Sequence, residues 1–124
     1  MNPSKTILIA EDDKFLVSVY KVKFGKAGFN VIVAADGEQA LQVLAKQRPD
    51  LILLDLIMPV KDGFEVLKEV RANPDYKDMP IIVASNLGQE EDIKRAKLMG
   101  ANDYFVKANV HLPDLVAMIT KMVS

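Results

Sequence analysis

The sequence has no cysteine, no tryptophan and a single histidine among its 124 residues. Without cysteine the chain cannot form a disulfide, a thiolate zinc site or a cysteine nucleophile. Lys and Arg number 16 against 17 Asp and Glu, so no positive excess favours nucleic-acid binding. The longest apolar run, 51–60, is interrupted by Asp55 and is too short to cross a membrane. We therefore expect a cytoplasmic protein with neither nucleic acid nor membrane as a partner.

The remaining composition is that of an ordinary globular domain. Half of the residues are hydrophobic and 27% are charged. The length suits one domain, and no linker, repeat or low-complexity tract divides it. We therefore treat 1–124 as a single domain.

Short apolar runs alternate with amphipathic stretches along the chain. The runs predict strands at 6–10, 29–35, 51–54, 81–84 and 104–106. The amphipathic stretches predict five helices, the first of them from apolar residues at helical spacing, namely Phe15, Leu16, Val19, Tyr20 and Val22. Five successive strand–helix units predict an α/β fold with a doubly wound parallel sheet. Periodicity leaves the strand order open, and 2-1-3-4-5 is one of two common orders.

Acidic residues directly follow the first and third predicted strands. Glu11 and Asp12 follow the first strand, and Asp55 follows the third. If these strands are neighbours, three carboxylates meet at the carboxyl edge of the sheet. Such close like charges destabilise the fold unless a cation lies among them. Because oxygen ligands suit a hard divalent ion, we expect a Mg²⁺ site here.

Ser85 and Lys107 follow the fourth and fifth predicted strands at the same edge. A hydroxyl and an ammonium facing carboxylates and Mg²⁺ suit a transferring phosphoryl group, which needs donors and cations around it. Asp55 would then be the nucleophile that forms an acyl phosphate. Singly, each residue has a simpler interpretation: Asp12 or Asp13 as a helix cap, Ser85 as a turn residue, Lys107 as a solvated charge. Their joint placement at four strand ends is what predicts a site.

Five segments resemble the receiver domain of bacterial two-component response regulators in order and spacing. They are ILIAEDD (7–13), ADGEQAL (35–41), PDLILLDLIMPVKDG (49–63), IIVAS (81–85) and GANDYFVK (100–107). Together they span nearly the whole chain. The resemblance implies a flavodoxin-like fold of strand order 2-1-3-4-5 with five flanking helices, in a stand-alone receiver similar to chemotaxis regulators.

The resemblance also implies site roles. Asp55 matches the phosphoacceptor, Lys107 the lysine that pairs with the phosphate, and Ser85 the hydroxyl that responds to it. The donor would be a phosphohistidine of a sensor histidine kinase or histidine phosphotransfer protein, with slow hydrolysis afterwards. Tyr104 matches an aromatic switch that turns inward as Ser85 moves, altering the face of the fourth helix, fifth strand and fifth helix for an unidentified protein target. By position alone, Tyr104 could equally be a half-buried strand residue with its hydroxyl in solvent.

For the metal, the resemblance implies four protein ligands. They are Glu11, Asp12, Asp55 and the backbone carbonyl of Ile57, with Asp12 as the direct acidic ligand. The chain would catalyse only its own phosphorylation and dephosphorylation.

Three features depart from the family pattern. Ala108 follows Lys107 where the family usually has a proline in a cis peptide. Because a cis bond before a non-proline residue costs roughly 3 kcal/mol, we expect a trans bond with a different loop path, or a strained exception. Asn86 stands where the family usually has a small alanine. Ile57 and Leu87 flank the expected phosphoryl group but cannot orient an attacking water, so we predict a long-lived phosphoryl group.

Other functions remain as alternatives. A haloacid-dehalogenase-type phosphatase needs a second aspartate at the position of Ile57, and an FMN module needs a glycine-rich loop where the acidic EDDKF (11–15) stands. A degenerate receiver acting as a docking module, or a receiver excised from a larger regulator, is also compatible with the sequence. We expect a monomer or a weak dimer, to which Lys94, Lys97 and Asp103 could contribute ion pairs.

Overall fold

The computed structural model describes residues 4–109 and 111–124, and within them the chain alternates strands and helices. The strands are β1 (Thr6–Ala10), β2 (Asn30–Ala34), β3 (Leu51–Leu54), β4 (Ile81–Ser85) and β5 (Asp103–Val106). The α-helices are α1 (Lys14–Lys26), α2 (Gly37–Lys46), α3 (Gly63–Ala72), α4 (Glu90–Leu98) and α5 (Leu112–Val123). Two short 3-10 helices span Pro74–Tyr76 and Lys107–Asn109. Residues 1–3 and 110, which the single-domain prediction includes, lie outside the described residues.

All strand pairs are parallel, and their order is β2-β1-β3-β4-β5, which confirms the predicted topology. β1 lies between β2 and β3, with Ala10 opposite both Ala34 and Leu54. The connections after β1 and β3 leave toward opposite faces of the sheet, so a crevice opens at the carboxyl edge between them. The residues that directly follow these strands therefore face the same crevice.

Helices cover both faces of the sheet, and each face has its own apolar core. On one face, α1 and α5 pack over Ile7, Ile9 and Leu53. On the other, α2, α3 and α4 pack over Leu8 and Ile52. All four residues of β3 are buried, as expected for a central parallel strand covered on both sides. No helix in the ranges that the structure describes is long and apolar enough to cross a membrane.

The buried face of α1 differs from the apolar set that predicted the helix. Tyr20 and Phe24 are buried, and Leu16 packs beside them, because residues four apart share one face of a helix. Phe15 is 79% exposed and Val22 is also exposed. The segment has more apolar residues than one helix face can bury, so the spacing predicted the helix correctly but Phe15 and Val22 lie outside its packing face.

Arg71, at the end of α3, connects several segments at the edge of the sheet opposite the crevice. Its guanidinium donates to the carbonyl oxygens of Gly100 at 2.7 Å, Met79 at 2.7 Å and Tyr76 at 2.8 Å. It also donates to the side-chain oxygen of Asn102. Gly100 ends the α4 segment with a φ of 113°, in the left-handed region that favours glycine. The carboxyl end of α4 is thereby fixed to α3 and to the start of β5.

Candidate functional site

A cavity of about 420 Å³ opens at the carboxyl edge of the sheet. Its lining residues are Glu11, Asp12, Asp13, Asp55, Ile57, Asn86 and Lys107. Carboxylate oxygens of Glu11, Asp12 and Asp55 lie within 4.8 Å of one another. The structure therefore brings together the three carboxylates that the strand order predicted.

Backbone hydrogen bonds set the positions of these carboxylates. The Asp55 N–H donates to the Ala10 carbonyl at 2.9 Å, and the Glu11 N–H donates to the Ala34 carbonyl at 3.0 Å, so sheet pairing continues one residue beyond each strand. Asp13 caps α1, because its Oδ1 accepts the backbone N–H groups of the first turn. Of the two candidate caps, Asp12 and Asp13, the structure thus selects Asp13, and the exposed carboxylate of Asp12 remains available to the cavity.

Lys107 lies between two of the carboxylates. Its Nζ is 2.5 Å from Oε1 of Glu11 and 3.3 Å from Oδ2 of Asp55. Burial acts to lower the pKa of Lys107, but the hydrogen bond to Glu11 and the charge of Asp55 together raise it above the usual value. Burial raises the pKa of Glu11, although its hydrogen bond with Lys107 opposes the change. The structure thus holds the ammonium charged at the floor of the cavity.

The donor set of the cavity fits a divalent cation. When all are ionised, the three carboxylates exceed the single ammonium by two negative charges. All side-chain donors are oxygens, which hard cations such as Mg²⁺ and Ca²⁺ prefer, and the open cavity leaves room for water or a phosphate oxygen.

The β3–α3 loop (55–62) is held closely against the backbone of Asp55. A Cβ at Gly63 would lie 2.3 Å from the Asp55 carbonyl oxygen and 2.7 Å from Cα of Leu56, so only glycine fits there. The Gly63 N–H donates to the Leu56 carbonyl at 2.9 Å, and Asp62 caps α3. The Ile57 N–H points to Oδ1 of Asp55 at 3.4 Å. The sequence analysis did not identify this close approach of Gly63 to Asp55.

Further contacts fix the far end of the same loop. Lys61 bridges Glu38 at 3.3 Å and Glu69 at 2.9 Å. A Cβ on Gly37, the first residue of α2, would lie 2.2 Å from the Lys61 carbonyl oxygen. Val60 has a φ of 68°, a conformation that β-branched residues rarely adopt. The loop is therefore restrained at both ends by backbone contacts.

The β4–α4 loop (86–89) is held by two hydroxyl groups. Ser85 is fully buried, and its Oγ accepts the Leu87 N–H at 3.2 Å. The Tyr104 hydroxyl donates to the carbonyl of the same Leu87. Tyr104 is 9% exposed, so the interpretation with its hydroxyl in solvent was wrong. Burial raises the pKa of Tyr104 above its usual value.

Ser85 itself does not line the cavity, and the exposed Asn86 lines it instead. The Lys107–Ala108 peptide is trans, in agreement with the first of the two predicted alternatives, and the chain continues there as a 3-10 helix. Ile57 is 60% exposed at the rim of the cavity, and Leu87 is half-buried. Apart from Asn86, the lining residues carry charged or apolar side chains.

A doubly wound sheet with carboxylates and a lysine at its carboxyl edge defines a class of phosphoryl-accepting domains. The model of one family of this class, the response regulator receiver domain, matches residues 7–120. The chain belongs to this family, as its sequence segments implied. Receiver domains are phosphorylation-controlled switches of two-component signalling.

Response regulator Rcp1 of Synechocystis sp. (strain ATCC 27184 / PCC 6803 / Kazusa) is 36% identical over 127 residues, covering 95% of this chain and 86% of Rcp1. The structure of the Mn²⁺-bound form of response regulator Rcp1 superposes with a TM-score of 0.81 at 34% identity, covering 95% and 91% of the two chains. Chemotaxis response regulator CheY4 of Vibrio cholerae gives a TM-score of 0.88 at 30% identity, covering 96% and 98%. The chain spans only about two fifths of the length of several other curated relatives. One of them is CpxR of Klebsiella pneumoniae subsp. pneumoniae, which is 43% identical over 101 residues; the match covers 82% of this chain and 42% of CpxR.

Proposed function

We propose that Asp55 accepts a phosphoryl group from a phosphohistidine of a sensor histidine kinase or histidine phosphotransfer protein. The observation that carries the proposal is the position of the Asp55 carboxylate, 3.3 Å from the Lys107 ammonium in an open acidic cavity. Membership of the receiver family supports the same reaction. No second aspartate stands two positions after Asp55, as the phosphatase alternative requires, because that residue is Ile57.

In the proposed reaction, a carboxylate oxygen of Asp55 attacks the phosphorus atom. The P–O bond forms as the P–N bond breaks, and the imidazole leaves with the electron pair and takes up a proton. Lys107 is already between Glu11 and Asp55, so a short movement places its ammonium against the new phosphoryl oxygens. Water later attacks the acyl phosphate and restores the carboxylate.

We further propose that Glu11, Asp12, Asp55 and the backbone carbonyl of Ile57 hold Mg²⁺, with Asp12 as the direct acidic ligand. The cluster of carboxylate oxygens and its excess negative charge support this assignment. The Mn²⁺-bound form of the relative Rcp1 supports a divalent ion in this chain as well. When bound, such an ion supplies positive charge that balances the phosphoryl oxygens.

The proposed response to phosphorylation passes through the β4–α4 loop. The Ser85 hydroxyl would turn from the Leu87 N–H toward the phosphoryl group, and Leu87 would then be held by Tyr104 alone. We propose that the resulting loop movement changes the face of α4, β5 and α5, where Leu98 is 88% exposed. This face would bind the downstream protein target.

We propose that the receiver acts by itself through a protein target in the cytoplasm, as a monomer or a weak dimer. Rcp1 and CheY4, which this chain matches over 86% and 98% of their own lengths, support this proposal. Size-exclusion chromatography with light scattering, before and after phosphorylation, measures the oligomeric state directly.

The test of phosphoryl acceptance is intact-protein mass after incubation with Mg²⁺ and acetyl phosphate. We expect a gain of one phosphoryl group that EDTA abolishes and that Asp55→Asn lacks. Asp36→Asn is the matched control, because Asp36 caps α2 away from the cavity and asparagine caps equally well. If neither acetyl phosphate nor a phosphohistidine donor adds a phosphoryl group, the docking-module alternative becomes the better one.

A further inference from the structure

The strand β2 forms one edge of the sheet, and part of its backbone faces outward. The Asn30 N–H and the Ala34 carbonyl form hydrogen bonds on the side of β1. Because the backbone groups of alternate residues in a strand point to the same side, Ile32 also pairs with β1, whereas Val31 and Val33 point away from it. Among the residues that the structure describes, no hydrogen bond reaches the N–H and C=O groups of Val31 and Val33.

This edge lacks the features that usually keep sheet edges of soluble proteins apart. Such edges carry a charged residue or a proline, contain a bulge, or are covered by another element. The sequence of β2, NVIVA, has neither charge nor proline, and its register with β1 is continuous. The strand at the opposite edge, β5, begins with the charged Asp103. A groove of about 390 Å³ borders β2, so the edge is open. The groove is lined by Val33, Gln39, Gln42, Val43, Lys46 and Gln47.

A second copy of the same edge fits these outward groups. In an antiparallel arrangement centred on Ile32, Val31 of each copy lies opposite Val33 of the other copy. The outward N–H and C=O groups of each such pair then exchange both of their hydrogen bonds. Because the same surface is used on both copies, the arrangement closes as a two-fold dimer and does not continue into a fibre.

The charges at the two ends of β2 favour this antiparallel direction. Asp36 follows the strand at its carboxyl end, whereas Lys26 and Lys46, the last residues of α1 and α2, lie at its amino end. The two-fold arrangement brings Asp36 of each copy toward the lysines of the other copy. A parallel arrangement would place like charges side by side, which is unfavourable.

We propose that the β2 edge is a self-association surface, through which two copies of this chain pair in antiparallel register and form one continuous sheet. The inference goes beyond the proposed phosphoryl chemistry and does not depend on it. The cavity lies between β1 and β3, and the face of α4, β5 and α5 lies at the opposite edge of the sheet, so the dimer would leave both accessible.

Sedimentation equilibrium of the unphosphorylated chain at rising concentration tests the proposal. Val33→Pro removes an outward N–H but leaves the pairing of β2 with β1 intact, because that N–H takes no part in it. We expect the parent chain to dimerise and Val33→Pro to weaken dimerisation about thirtyfold, because each copy loses a hydrogen bond across the edge. Val33→Thr, which keeps both the N–H and the branched side chain, is the matched control and should dimerise like the parent.

Amide hydrogen exchange locates the surface without any variant. The amides of Val31 and Val33 should become more protected as the concentration rises, whereas those of 103–106 in β5 should not. A parent chain that stays monomeric at about 1 mM, a dimer that Val33→Pro leaves unaltered, or protection at β5 instead would overturn the proposal. If Val33→Pro does not fold, exchange in the parent chain decides. Neither measurement needs a phosphodonor, so failure of the proposed function would appear in the mass measurement alone.

Discussion

The two loops that border the cavity are restrained in different ways. The β3–α3 loop is in backbone contact with its surroundings, with Gly63 against Asp55 and Gly37 against Lys61. The β4–α4 loop is held by side-chain hydroxyls at Leu87, and Gln89 makes no side-chain cap for α4. Nothing closer than 3.6 Å would meet a Cβ at Gly88.

The two kinds of restraint suit two different requirements of the site. Under the proposed function Asp55 is a nucleophile that must be held in place, and backbone contacts in a close-packed core restrain its position without any side chain that can rotate away. A responding segment must have two arrangements of similar free energy, and hydrogen bonds worth about 1 kcal/mol each can be exchanged for others. The following four variants test the contrast between a fixed loop and a movable one.

Gly63→Ala should have the largest effect. The new methyl group would overlap the Asp55 and Leu56 backbone, which cannot move without displacing the acceptor. We expect a loss of about 3 kcal/mol in the free energy of unfolding, measured in urea, and slower phosphorylation in any folded fraction. A change below about 1 kcal/mol would show that the β3–α3 loop is not fixed.

The double variant Ile57→Asn, Leu87→Glu changes one residue in each of the two loops. A polar side chain at position 57, on the cavity rim, and one at position 87, in the neighbouring loop, can orient an attacking water. We therefore expect the lifetime of phosphoryl-Asp55 to fall about tenfold, equivalent to roughly 1.4 kcal/mol. The lifetime is followed by intact mass after removal of the donor. Val60→Asn, an exposed change in the same β3–α3 loop, should leave it unaltered. A lifetime in the double variant as long as in the parent chain would contradict the prediction, and the single variants show which loop matters.

Tyr104→Phe should have an intermediate effect on the movable loop. It removes the hydrogen bond to the Leu87 carbonyl but keeps the buried ring. We expect a loss of about 1 kcal/mol in the free energy of unfolding and faster amide hydrogen exchange across the start of α4. Unchanged exchange at 86–92 would mean that Tyr104 does not restrain the loop.

Gly88→Ala should have the smallest effect and is the counterpart of Gly63→Ala. Its Cβ would make ordinary contacts with the methyl groups of Val106. We expect the free energy of unfolding to change by no more than about 0.5 kcal/mol in either direction. A loss as large as that of Gly63→Ala would remove the distinction between the two loops.

The strand pattern of the sequence predicts the fold well, because each strand is a compact apolar run followed at once by polar residues. The same feature explains why the carboxylates after β1 and β3 could be placed together: parallel strands end at one edge. The packing face of α1 could not be predicted. Phe15 and Phe24 are equally apolar, and only the tertiary structure decides which of them is buried.

The details of the site that depend on the paths of the loops could not be predicted from the sequence. The contact of Gly63 with Asp55 requires the course of the β3–α3 loop, and the bond from Tyr104 to Leu87 joins residues 17 positions apart. A pattern of apolar and polar residues indicates strands and helices, but it does not show which hydrogen bonds the side chains form.

Arg71 donates hydrogen bonds to the Gly100 carbonyl and so holds the carboxyl end of α4 in place, and the helix can pivot about this end. The pivot lies at its carboxyl end, and the free end lies at Gln89, beside the β4–α4 loop that the proposed function moves. The 9 residues of α4 give an arm of about 13 Å at 1.5 Å per residue. A displacement of about 2 Å at the free end therefore tilts the helix by roughly 9°, and the tilt reorients the side chains along its whole length. Under the proposed function, a small movement beside Asp55 would thus change the orientation of α4 on the surface that binds the protein target.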